Sequence, residues 1–189
     1  MTLLLLVLAA GASTDIATQA VHNFGACVVR QTPRGAREAL ALDYRTPEYA
    51  EKVRDLAAGH ERCAPGARLS FGGVLFAGAL AEALVESEVK RADLPAQLAF
   101  DPARPKVDAR DETEVMALCT AMRAPQATAD LFATKPATKE EKAAMQGIAA
   151  VLPDCLAKDT KLTLNRPALR SLLALAAWRI VSTRRGEAQ

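Results

Sequence analysis

Four cysteines carry the clearest chemical pattern in this chain of 189 residues. Cys27 and Cys63 stand 36 positions apart, and so do Cys119 and Cys155. No Cys-x-x-Cys occurs, so neither a thioredoxin-like redox pair nor a zinc knuckle is indicated. In an oxidising compartment an even number of cysteines reads as a disulfide framework. Other chemistry is sparse. His22 and His60 fall on different predicted helices, and with the cysteines oxidised too few ligands remain for zinc. His60 lies on an apolar helical face and reads as a boundary histidine. Neither a Gly-x-Ser-x-Gly elbow nor a phosphate-binding glycine loop is present. The stretch "SFGGVLFAG" holds glycines, but no Lys-Ser/Thr follows. Gly72, Gly73 and Gly78 therefore read as cap and close-packing residues. The carboxylate pairs Glu48 with Glu51, Glu82 with Glu86 and Glu140 with Glu141 read as solvated helix faces, not as a glycosidase pair. Arg30, Arg123 and Arg170 interrupt otherwise apolar helices, where they either snorkel to water or line a groove. No catalytic, cofactor-binding or metal-binding residue is assigned, and no cofactor is expected.

The elements that carry these residues are predicted to be helices. Half of the chain, 50%, is hydrophobic but only 4% is aromatic, and much of the apolar half is alanine and leucine. These are strong helix formers, and residues that favour strands are scarce. The net charge is +2, and neither half has the basic excess that phosphate binding needs. Nucleic acid is therefore not an expected partner.

The N-terminal "MTLLLLVLAAGAS" combines a short apolar run with small residues at Ala10-Gly11-Ala12. It reads as a signal peptide over residues 1–12, cleaved before Ser13 and too short to span a bilayer. The expected location is exported, periplasmic or secreted, with no stable membrane span once the signal is removed.

A common shift of 92 places lays Cys27 on Cys119 and Cys63 on Cys155. The same shift lays Pro33 on Pro125, Thr46 on Thr138 and Glu48 on Glu140. With one residue inserted after the second cysteine, Leu69-Ser70-Phe71-Gly72 falls on Leu162-Thr163-Leu164-Asn165. The expected fold is all-α, with two tandem duplicated four-helix subdomains, each tied by one disulfide. The first copy spans residues 13–92, a proline-containing linker 93–110, the second copy 111–183 and a tail 184–189. Pairing Cys27 with Cys63 and Cys119 with Cys155 gives each copy its own bond. The two other connectivities are formally possible, but each crosses the duplication.

Start signals mark the helices. Ser13 and Thr14 are capping candidates for the first. Thr32-Pro33 and Thr46-Pro47 supply a cap and a first-turn proline. Asp111 with Glu114, and Thr138 with Glu141, form capping-box patterns. Gly72 and Asn165 are expected to cap the most apolar helix of each copy, after a short extended piece that pairs with its counterpart as a minimal β-ribbon. The linker is expected to lie along the surface on Leu94, Leu98 and Phe100.

This two-copy pattern is similar to small exported bacterial proteins with a duplicated two-cysteine helical unit. No activity is attached to them, so the resemblance implies no site residues. The function expected from the sequence is a non-catalytic exported helical module that binds an unknown protein partner or serves an envelope-stress role. The alternative is a carrier of a small apolar ligand in a cavity between the two copies. An enzyme would need polar groups converging around His60, Arg30 or Arg123.

Overall fold

The computed structural model describes the backbone of residues 7–65, 72–158 and 163–186, with side chains from residue 14 onward. Among these residues it contains nine α-helices and no strand. The first half comprises α1 (Val7–Gln31), α2 (Pro33–Ala41), α3 (Pro47–Ala58), a 3-10 turn (Glu61–Cys63) and α4 (Gly73–Glu88). A short α5 (Leu94–Leu98) follows. The second half comprises α6 (Glu112–Arg123), α7 (Pro125–Phe132), α8 (Lys139–Val151), a 3-10 turn (Leu152–Cys155) and α9 (Arg166–Arg184).

The most apolar helices, α4 and α9, form the central pair and pack on each other more extensively than any other two elements. A helix that is apolar on all sides belongs inside, and α4 buries an unbroken run from Phe76 to Glu82. α1 covers α4 on one side, and α6 covers α9. Glycines set the spacing. A Cβ on Gly25 of α1 would stand 2.5 Å from the Ala79 Cβ, and one on Gly78 of α4 would stand 2.5 Å from the Ser171 Cα of α9. The helices therefore approach at positions where one side chain is missing. Phe24 and Phe76 fill the adjoining layer, with ring centroids 5.3 Å apart.

The disulfides join Cys27 to Cys63 and Cys119 to Cys155, with Cα atoms 5.7 and 5.6 Å apart. Each ties the first helix of its half to the turn after the third. Most start signals act as read. Thr46, Asp111, Thr138 and Asn165 each accept a backbone N–H of the first helical turn. The glutamates of the capping boxes reach back one residue further than the usual pattern: Glu114 accepts the Arg110 N–H, and Glu141 that of Ala137. Thr32 precedes α2 but gives its hydroxyl to His60 instead of capping the helix.

Three expectations are corrected. α1 starts at Val7, so Ser13 and Thr14 lie inside it, because the apolar run upstream propagates the helix. Phe100 does not help to hold the linker down: it is 71% exposed, and of the three apolar residues only Leu94 and Leu98 of α5 are buried. Glu82 and Glu141 are buried, not solvated. The expected extended ribbon involves residues 69–71 and 162–164 and falls largely outside the described residues. No described helix is long and apolar enough to cross a membrane.

Candidate functional site

A cleft of about 450 Å³ opens where the two halves meet. α9 supplies its apolar base with Leu172, Leu175, Ala176 and Trp178. The first half adds Leu40, Tyr49 and the start of α4 at Gly73 and Val74. Ala117 of α6 completes the apolar wall. The volume falls in the range of small-ligand pockets, about 300–1,000 Å³.

Polar groups at this cleft come from Tyr44, Arg110, Asp111, Thr113, Glu114 and Arg179. Asp111 caps α6 by accepting the Glu114 N–H at 2.8 Å, and it also accepts the Tyr44 hydroxyl across the boundary between halves. Burial pushes the Asp111 carboxyl up. The hydrogen bonds from Tyr44 and from the Glu114 and Thr113 backbones outweigh it, and the carboxyl is held below its ordinary value. Burial, and then the bond to Asp111, push the Tyr44 phenol well above its ordinary value, so it stays protonated and donates. Glu114 takes the Arg179 guanidinium, which also donates to the Asp108 carbonyl at 3.0 Å. The Arg110 guanidinium stands over the Tyr44 ring, 5.6 Å from its centroid.

A second feature lies at the other end of the α4–α9 contact. Arg170, 3% exposed, donates to Glu82 through Nε and Nη2 at 2.9 and 2.5 Å, and to Glu141 at 3.0 Å. It also reaches the Thr134 carbonyl at 2.8 Å. His22 Nε2 lies 3.1 Å from Glu82, and Arg166 lies 3.6 Å from Glu141. Burial works against charge on Glu82, yet the hydrogen bonds from His22 and Arg170 prevail and hold its carboxyl below the ordinary value. For Arg170, burial favours the neutral form, but Glu82 and Glu141 hold the guanidinium charged. The neighbouring space is about 30 Å³, room for one water and not for a substrate. This buried network joins α1 and α4 to α8 and α9 across the two halves.

Of the residues weighed in the sequence, His22, Glu82, Glu141 and Arg170 meet in this buried network, and the others do not converge. The four cysteines form two separate bonds. His60 is held through both ring nitrogens, by the Leu56 carbonyl at 2.7 Å and the Thr32 hydroxyl at 2.8 Å. Arg30 is exposed, and Arg123 pairs with Asp154 at 3.1 Å on the surface. Glu48, Glu51, Glu86 and Glu140 are exposed as read. Among the described residues no group of three or more His, Cys, Asp or Glu is placed to hold a metal ion.

The sequence reading missed Tyr44, Tyr49, Arg110 and Trp178 as cleft residues, and nothing in their spacing marks them. A signal for the buried network was available. Glu82 interrupts the apolar run "VLFAGALAEALV", and Arg170 interrupts "PALRSLLALAAW". Opposite charges in the two helices read as central must pair if both are buried. Comparison with protein-family models, with curated proteins and with solved structures finds no match to this chain.

Proposed function

We propose that this protein binds a small apolar molecule in the cleft between its two halves, as a non-catalytic carrier. The observation that carries the reading is the cleft itself: about 450 Å³, walled by α2, α3, α4, α6 and α9, with a largely aliphatic and aromatic lining. Three of its four charged residues, Asp111, Glu114 and Arg179, are engaged with other protein groups, as expected of a frame more than of a reacting centre. Of the exposed large apolar side chains, Tyr44 and Val74 border the cleft, and Ile16 on α1, Phe100 after α5 and Val115 on α6 come from three separate segments. Single exposed apolar residues are ordinary and do not argue for a protein-docking face.

Within this reading the chain is a tandem duplication, and the cleft forms at its pseudo-symmetric junction. The order of elements supports it: three helices, a 3-10 turn and a long apolar helix occur in each half. The disulfides span 36 residues in both halves. The protein is also exported. Two disulfides point to an oxidising environment, and the apolar N-terminal run suits a signal peptide.

Trp178 is the only tryptophan and borders the cleft, so its fluorescence reports occupancy. Titration with 1-decanol should give a saturable change at one site per chain. Val74 is 40% exposed and lies in the first turn of α4, where an aspartate is tolerated. Val74→Asp should therefore leave the melting temperature near that of the parent and weaken 1-decanol by about tenfold. A linear, non-saturating response in the parent protein rejects the reading.

A further inference from the structure

We infer that the molecule held in the cleft is an amphiphilic carboxylate, with an apolar body against α9 and its carboxylate head at Arg110. This rests on the ligand-binding reading and adds the chemistry of the head group.

Hydrogen-bond accounting carries the inference. The carboxylates at the cleft already have donors: Asp111 holds the Tyr44 hydroxyl and the Glu114 N–H, and Glu114 holds Arg179 and the Arg110 N–H. What remains is donor capacity. Among the described residues no carboxylate lies within ion-pairing distance of the Arg110 guanidinium, whose recorded contact is the face of the Tyr44 ring. The Trp178 indole N–H can only donate. Trp178 is 3% exposed, borders the cleft and has no acceptor among the described residues. Because no fully buried side-chain nitrogen or oxygen is left unsatisfied among the described residues, that N–H opens to accessible space. The hydroxyls of Tyr49 and Thr113 border the same cleft with no hydrogen-bond partner among the described residues.

A ligand that completes these groups must bring acceptors and negative charge. A carboxylate accepts both prongs of a guanidinium and keeps lone pairs for further donors. An alcohol head can use part of this donor set, and an ammonium head meets a cation with no free carboxylate to balance it. The lining further in is Leu172, Leu175, Ala176 and Ala117, which suits an alkyl or ring body.

The test compares decanoate, 1-decanol and decylammonium on the purified, disulfide-intact protein by calorimetry near neutral pH, below micelle formation. Decanoate should bind at one site per chain, about tenfold tighter than 1-decanol, with decylammonium weakest. Arg110→Gln should lower decanoate affinity by about tenfold while 1-decanol affinity and the melting temperature stay put. Trp178→Phe should weaken decanoate by a smaller factor, read by heat because the fluorophore is gone. Equal binding of decanoate and 1-decanol, or decanoate affinity indifferent to Arg110→Gln, overturns the carboxylate assignment and leaves apolar binding standing. Failure of all three ligands overturns both.

Discussion

Arg170 shows what a single residue does in this molecule. It is enclosed between α4, α8 and α9, and its charge is matched by Glu82 and Glu141. Removing one partner of a buried pair leaves the others charged and unsolvated. Arg170→Met should therefore cost about 3–5 kcal/mol, measured by urea denaturation. Acid acts on the same cluster. The Glu82 carboxyl is held below its ordinary value of 4.5 in the folded protein. Its contribution to stability is therefore complete above that value and is lost as pH falls through the lower folded one. The urea midpoint should drop on going from neutral pH into that acidic range, and Glu82→Gln should flatten the drop. An unchanged slope in the variant would show that other carboxylates dominate acid unfolding.

At the scale of elements, the fold depends on how closely three helices approach. Gly78 faces Ser171, and an added Cβ would stand 2.5 Å from backbone Cα, which no rotamer change relieves. Gly78→Ala should push α4 from α9 and cost about 1–3 kcal/mol by thermal melting. Gly73 is the contrast. It sits in the first turn of α4 with nothing within 4 Å of an added Cβ. Gly73→Ala should be neutral or stabilise by up to about 1 kcal/mol, because alanine has less freedom to lose. The shared substitution thus separates packing from helix propensity. Helix starts were legible in the sequence because capping is local: Thr46, Asp111, Thr138 and Asn165 each act within three residues of themselves. The start of α1 was not, since Ser13 and Thr14 resemble caps but the apolar run before them is itself a helix former.

For the whole molecule, each disulfide closes a span of 36 residues. In the chain-entropy account such a loop restricts the unfolded chain by about 4 kcal/mol. Replacing Cys27 and Cys63 together by serine should lower stability by about that amount, and reductant should then destabilise the variant less than the parent. The sequence by itself determined the helical class, the pairing of cysteines implied by their equal separation, the helix caps and the central place of α4 and α9. These follow from composition, periodicity and short-range spacing, which chain order preserves. Only the tertiary structure decided the rest. Tyr44 and Asp111 are 67 positions apart and Arg170 and Glu82 are 88 apart, yet each pair shares a hydrogen bond. Burial of Glu82 and Glu141, and the gathering of the cleft's lining from five helices, arise from which helix faces meet. Helical period reports that a face is apolar, but not which partner covers it or where a gap is left between them.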